Sequence, residues 1–265
     1  MLLAIDIGNT NVCCAVFDGP RELAVWRSSS DHQRTSDEWA VWLINLLRLK
    51  GISLQDIDAA IISAVVPEIL VAMRTFCQNY LSAEVIVVGE KKGDIAIQAL
   101  IDNPDEVGAD LLVNAISAHT SYGGPLLVVD FGTATTVSLV DSHGNFCGAS
   151  IAPGINLSLQ ALYNATAKLP HISFAKPAKV IGTNTVESMR SGVFWGYISM
   201  VEGLVERAQN EYARKNPEFL GRLKVVATGG LSSLIASETK AIDFHDTDLT
   251  LKGLYIIYTL MKTCN

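Results

Sequence analysis

Asp6-Ile7-Gly8-Asn9-Thr10 and Asp130-Phe131-Gly132-Thr133-Ala134-Thr135-Thr136 are the two stretches that decide the fold. Each follows an apolar run, Leu2 to Ile5 and Leu126 to Val129, with the length and branched side chains of a buried strand. Each leads into a second β-favouring run, Val12 to Phe17 and Val137 to Val140. Turn residues follow, Asp18-Gly19-Pro20 in one case and Asp141-Ser142-His143-Gly144-Asn145 in the other, and a third strand-like run begins. A unit of strand, Asp-x-Gly turn, strand, turn, strand therefore occurs twice, 124 residues apart. That period is too long for a solenoid and suits two duplicated halves.

Outward from the first turn, Glu22 to Trp26 reads as the third strand, and Ser36 as the cap of a helix with Asp37 and Glu38 in its first turn. Trp39, Trp42, Leu43, Leu46 and Leu47 give that helix an apolar face, and Gly51 ends it. Ala59 to Val66 reads as a strand, Pro67 as the first residue of a helix to about Tyr80, and Val85 to Val88 as a returning strand. Strands alternating with helices after a meander make the chain α/β. Asn103-Pro104-Asp105-Glu106 signals a helix start leading into Val107 to His119, with Gly108 expected inside it.

Outward from the second turn, Ile151-Ala152-Pro153-Gly154 is expected to turn into a helix through Leu162. Gly182-Thr183-Asn184-Thr185 caps a long helix from about Val186 to Arg214. Ser191-Gly192, Gly196 and Gly203 along it favour close packing of another element. Val225 to Gly230 reads as a strand meeting a glycine turn before a further helix, and Thr250 to Met261 as the last helix. The expected division is residues 1–122 and 123–265.

The 265 residues are 49% hydrophobic and 18% charged, with a net charge of −7 and no basic stripe, which argues against sequence-independent nucleic-acid binding. Five cysteines (13, 14, 77, 147 and 264) form no CxxC pair and no metal-ligand spacing, so reduced thiols in a cytoplasmic protein are expected. No apolar run is long enough to span a membrane, and Met1-Leu2-Leu3 carries no basic leader, so neither anchor nor signal peptide is expected.

Glycine lets a phosphate approach the backbone, and amides, hydroxyls and carboxamides then serve as donors. Gly8-Asn9-Thr10-Asn11 and Gly132-Thr133-Ala134-Thr135-Thr136 offer all of these. A carboxylate at a strand end can hold Mg²⁺ through water, and Asp6 and Asp130 occupy such positions. Two such hairpins facing each other would hold a polyphosphate from both sides, with Gly229-Gly230 admitting an adenine ring. Neither GxxxxGK[ST] nor GxGxxG is present, which disfavours the P-loop and Rossmann routes. Asp110, beside Gly108-Ala109, is the candidate base toward a hydroxyl; a helix-start aspartate serving the helix dipole is the alternative, and position alone leaves both open.

At these residues, and at Pro153-Gly154, Thr185, Ser191-Gly192, Ala227-Thr228-Gly229-Gly230 and Leu249-Thr250-Leu251-Lys252-Gly253-Leu254, the chain resembles the type III pantothenate kinases. These lie within the superfamily of actin, Hsp70 and the acetate and sugar kinases. The resemblance implies two ribonuclease H-like (actin-like ATPase) domains with mixed sheets flanked by helices. It also implies transfer of the ATP γ-phosphoryl group to the 4′-hydroxyl of pantothenate, the first step toward coenzyme A. Asp6 would orient Mg²⁺-ATP, with Gly8, Asn9, Thr10, Asn11, Val12 and Cys13, and Ile7 before them, along the phosphates. Thr133 would be a second phosphate contact, Asp130 the site of a monovalent cation (K⁺ or NH₄⁺), and Asp110 the base. Gly108, Ala109, Leu111 and Thr185 would line the pantothenate site of a homodimer. One residue departs from the pattern, since Leu111 stands where the family usually has Arg. Another donor such as Arg190 could serve, or pantothenate binding is weak, or the chain is a nucleotide-binding regulatory relative of the Bvg accessory kind.

Overall fold

In the computed structural model, which describes residues 1–81, 83–90, 97–166 and 168–263, the first apolar run forms β1 (Leu2–Ile7). β1 pairs antiparallel with β2 (Asn11–Asp18), which pairs with β3 (Arg21–Ser29). Thr35, not Ser36, caps α1 (Ser36–Leu49): its hydroxyl accepts from the Glu38 N–H while the Glu38 carboxylate accepts from the Thr35 N–H at 2.8 Å. The reciprocal box needs a glutamate three residues on, and only Thr35 has one. β4 (Ala59–Ala64) lies parallel to β1, α2 (Pro67–Tyr80) starts on its proline, and β5 (Glu84–Val87) extends the sheet in the order β3-β2-β1-β4-β5.

Strand alternation gives this sheet two faces. Leu3, Ile5 and Ile7 pack with Trp39, Leu43 and Phe76 of α1 and α2. Leu2 and Ala4 pack on the other face with Val113 and Ile116 of α3 (Ala109–Tyr122) and Leu251, Leu254 and Ile257 of α7 (Leu249–Thr263). A Cβ on Gly253 would meet the Val113 carbonyl and side chain, so glycine is what lets α7 approach α3 so closely.

The second repeat builds the same sheet again. β6 (Leu126–Phe131), β7 (Ala134–Val140) and β8 (Phe146–Pro153) form the meander. β9 (Lys224–Thr228) lies parallel to β6 and the short β10 (Phe244–His245) to β9, in the order β8-β7-β6-β9-β10. Ile151 to Pro153 belong to β8 rather than to a turn, and α4 (Ile155–Asn164) begins after Gly154. The 31-residue α5 (Thr185–Lys215) is capped by Asn184, whose side chain accepts from the Glu187 N–H. Phe194, Ile198 and Val201 of α5 pack on Leu127, Val129, Val225 and Ala227, with α6 (Ser232–Ala236) contributing Ile235.

Contacts divide the chain into Met1–Ser117 joined by the segment from Leu249 onward, and Ala118–Asp248. This differs from a split at residues 122 and 123, because α7 packs on β1, β2 and β4 and α3 runs across the boundary. Among the described residues Gly192 and Gly196 meet nothing within 4 Å of where a Cβ would stand, so the close packing expected at these two glycines is not made there, although Ser191 donates to the Val180 carbonyl. Cys13, Cys14, Cys77 and Cys147 are free thiols, and burial pushes Cys77 up to about 12, in keeping with inert core cysteines; Cys264 lies outside the described residues. No described helix is long and apolar enough to cross a membrane.

Candidate active site

The first unit gathers Asp6, the turn after it and Asp110 around the carboxyl ends of β1 and β4. Asp6 lies on the α3/α7 face of its sheet, where the Cα register sets it beside Cys13 on β2 and Ser63 on β4. The turn from Gly8 is closed by the Gly8 N–H donating to the Asn11 carbonyl at 3.0 Å. β3 holds it from outside: the Ser30 hydroxyl donates to the Gly8 carbonyl at 2.6 Å and the Ser30 N–H to the Thr10 carbonyl at 2.9 Å. Asn9, Thr10 and Asn11 point their side chains to solvent, while Val12 continues into the core and Cys13 is half-buried.

Gly108 precedes α3 rather than lying inside it. A 3₁₀ turn, Pro104–Glu106, takes the helix-start signal of Asn103 to Glu106, and α3 begins only at Ala109. A Cβ on Gly108 would strike the Asp110 carboxylate and come to 3.9 Å from Val65, whose N–H donates to the Ile7 carbonyl at 3.0 Å. The glycine thus leaves room for the Asp110 carboxylate beside its own backbone, next to Val65 at the end of β4. Asp110 is half-buried, and burial pushes its carboxyl up from the ordinary aspartate value against the opposing pull of the Leu111 N–H and its own N–H. The Leu111 N–H reaches Asp110 Oδ1 at 2.9 Å, so this position supplies a backbone donor although its side chain is aliphatic.

The second unit gathers Asp130, Thr133, Gly229 and Gly230. Asp130 lies on the face of its sheet opposite the α5 core, beside Thr136 on β7 and Thr228 on β9 in Cα register. Its turn is closed by the Gly132 N–H donating to the Ala134 carbonyl at 3.0 Å. Gly229, at φ +92°, presses against it: a Cβ there would stand 2.6 Å from Asp130 Oδ1 and 2.7 Å from the Phe131 carbonyl oxygen. Gly154 closes the other side, where a Cβ would collide with the Thr133 carbonyl that accepts from the Gly154 N–H. Gly230 opens onto free space, and Thr133 is exposed. Thr185 stands exposed at the first position of α5, away from the Asp130 turn in sequence, and Arg190 Nη1 donates to Glu187 at 2.9 Å.

Two buried hydroxyls stand beside the aspartates. Ser63 and Thr136 are buried, have no hydrogen-bond partner, and lie in register with Asp6 and Asp130 respectively. An unmet buried hydroxyl costs roughly 1–3 kcal/mol, so each position asks for a polar guest. Ser63 belongs to no turn or glycine signature, and only the strand register reveals it; Thr136 ends the second Asp-x-Gly stretch, and the register adds that it stands beside Asp130.

An aspartate and a glycine turn at the same place in two mixed sheets of identical order, flanked by helices, give an actin-like ATPase fold. Among solved structures, a conserved Baf family protein from Campylobacter jejuni, described as a transcriptional activator, aligns with a TM-score of 0.61 at 16% identity, over 98% of this chain and 99% of that one. The ethanolamine utilization protein EutJ from Carboxydothermus hydrogenoformans aligns with a TM-score of 0.51 at 14% identity, over 96% and 89%. These likenesses carry the fold alone. The type III pantothenate kinase family profile matches residues 2–207. A type III pantothenate kinase from Paramagnetospirillum magneticum is 50% identical over 263 residues, which is 99% of this chain and 98% of that protein. The chain belongs to the type III pantothenate kinase family.

Proposed function

We propose that the protein transfers the γ-phosphoryl group of ATP to the 4′-hydroxyl of pantothenate, giving 4′-phosphopantothenate and ADP, in the cytoplasm. The observation that carries the reading is Asp110 itself: a half-buried carboxylate at the head of α3, given room by Gly108, in the unit that also carries the Asp6 turn. As base it accepts the hydroxyl proton while the new oxygen–phosphorus bond forms and the bond from the γ-phosphorus to ADP breaks. Burial raises its proton affinity toward what such a transfer needs.

The first turn, with Gly8 to Cys13, takes the ATP phosphates through amides, hydroxyls and carboxamides. Among the described residues no three His, Cys, Asp or Glu side chains cluster to cage a metal. Mg²⁺ accordingly suits a site of one carboxylate, Asp6, with the nucleotide's own phosphates, and the unpartnered Ser63 hydroxyl beside it fits a hydrated ion. Such an ion would neutralise phosphate charge. The second turn gives Thr133 as a phosphate contact and Gly229-Gly230 for the adenine base, and the Asp130 carboxylate, beside Thr136 and Thr228, is the group to hold K⁺ or NH₄⁺.

Leu111 gives pantothenate no charged anchor. A charge-assisted bond from Arg there is worth roughly 1.5–3 kcal/mol, so Leu111→Arg raises kcat/KM for pantothenate if that anchor is limiting. A homodimer accords with α5, whose Gly192 and Gly196 lie open beside exposed Val180 and Ile181 in a groove of about 410 Å³. One coupled assay of ADP release, with and without pantothenate and with Na⁺ against K⁺, tests the whole reading. Release that needs both pantothenate and K⁺ is expected, and release indifferent to pantothenate refutes it.

A further inference from the structure

Beyond the residues of the two turns, we propose that Ser232 and His245 are positioning residues for the nucleotide, acting through the Gly229-Gly230 turn; this rests on the phosphotransfer reading, which gives that turn to ATP. Ser232 is fully buried at the start of α6. Its hydroxyl lies 2.6 Å from the Gly229 carbonyl oxygen, and its N–H donates to the same oxygen at 3.2 Å. His245 Nε2 lies 2.9 Å from the Ser232 hydroxyl oxygen.

Donor counting settles the direction of this chain. A carbonyl oxygen cannot donate, so the single hydroxyl proton of Ser232 goes to Gly229, and Oγ must accept from His245. That assigns the Nε2–H tautomer to His245. The histidine is in turn held by the sheet: its Cα pairs with Ala227 on β9, and the next N–H, of Asp246, donates to the Ala227 carbonyl at 2.9 Å.

The consequence lies in what Gly229 touches. Asp130 and Phe131 block it on one side so closely that no Cβ fits, while Gly230 is open on the other. The turn therefore has little freedom except the direction that Ser232 and His245 restrain. Releasing them lets the backbone drift away from Asp130 and from the surface offered to the nucleotide, while Asp110, which belongs to the other unit, is untouched. Loss should appear in nucleotide affinity and not in the chemical step.

The test compares the wild type with Ser232→Ala, His245→Leu and His245→Gln, measuring kcat, KM for ATP, KM for pantothenate and, by calorimetry, Mg-ADP binding. Ser232→Ala should raise KM for ATP and the ADP dissociation constant by about tenfold, the scale of one lost hydrogen bond. Its kcat and KM for pantothenate should stay within about twofold. His245→Leu should follow in the same direction, and His245→Gln, whose carboxamide N–H can donate in place of Nε2–H, should return to near wild type. A purely structural role would lower the melting temperature of both histidine variants alike and leave KM for ATP in place. The proposal is overturned if ADP binding is unchanged in Ser232→Ala or if the two His245 variants behave identically. Should Ser232→Ala fail to fold, the His245 pair decides alone. Absence of pantothenate turnover in the wild type would refute the substrate reading, while ADP binding by the variants would still judge the relay.

Discussion

The two aspartate turns stand on equivalent scaffolds and have become different sites. Both aspartates occupy the central strand of a five-stranded sheet of the same order, each flanked by an antiparallel and a parallel neighbour. Around Asp6 the neighbours are Cys13 and Ser63, and the turn presents exposed Asn9, Thr10 and Asn11. Around Asp130 the neighbours are Thr136 and Thr228, and the walls are backbone, pressed in at Gly229 and Gly154 until a Cβ has no room. The first turn offers side-chain donors to solvent, which suits anionic phosphates. The second sets its carboxylate between two threonines of the neighbouring strands and against the Gly229 backbone. The frame is repeated, and the side chains around each aspartate are what differ.

The largest expected effect has no counterpart in the second unit. Asp110→Asn should lower kcat by about 10²–10⁴-fold, the usual contribution of a general base. Its pH behaviour has a definite sign. Burial raises the folded-state proton affinity of Asp110, so the base is lost at a pH above that of an ordinary aspartate, and the acid limb of kcat/KM should lie there. Stability runs the other way: the native state holds this proton more tightly than the unfolded chain, so Asp110 withdraws stability as pH rises from the ordinary value through the raised one. At neutral pH Asp110→Asn should therefore melt no lower than wild type, and a large fall in its melting temperature would contradict the placement.

Exchanging the aspartates tests the division directly. Asp6→Asn should raise the Mg²⁺ concentration needed for half-maximal rate, and Asp130→Asn should abolish the preference for K⁺ over Na⁺. Equal responses to both cations in both variants would erase the distinction between the turns.

A smaller contrast is expected from glycine. Gly229→Ala should cost about 1–2 kcal/mol from its positive φ alone, before any clash with Asp130. Gly8→Ala brings a Cβ to 3.2 Å from the Asn11 carbonyl without that penalty and should cost less, which a denaturant titration of the pair would measure. The smallest effect is at Ser63. Ser63→Ala removes a buried hydroxyl that has no partner, so the free protein should gain up to about 1 kcal/mol. If that hydroxyl serves the hydrated ion, KM for ATP should rise in the same variant, and movement of both quantities together in the favourable direction would count against it.

The strands and most helices were legible in the chain because apolar runs and turn residues act locally. The repeat of the Asp-x-Gly turn was enough to expect two halves of one architecture. What was not legible depends on partners distant in sequence. Gly108 was expected inside a helix since nothing nearby tells that its missing Cβ serves the Asp110 carboxylate. Ser63 carries no motif; its meaning comes from lying across the strand from Asp6. Gly192 and Gly196 pointed to close packing, yet within one chain they face open space, because small residues declare that something approaches without saying whether it is the same molecule. His245 has no signature at all and acquires one only when β10 sets it against Ser232.

The placement of α7 bears on how the molecule comes into being. The second unit, from Ala118 to Asp248, is one continuous stretch, so a chain emerging from its N-terminus holds every residue of that unit before α7 exists. The first unit is discontinuous: Leu2, Ala4 and Ile61 wait on one face of its sheet for Leu251, Leu254 and Ile257, which arrive last. The half that is made first is therefore completed after α7 is made: α3 supplies Val113 and Ile116 to the face that carries Asp6, and α7 adds the rest of its cover.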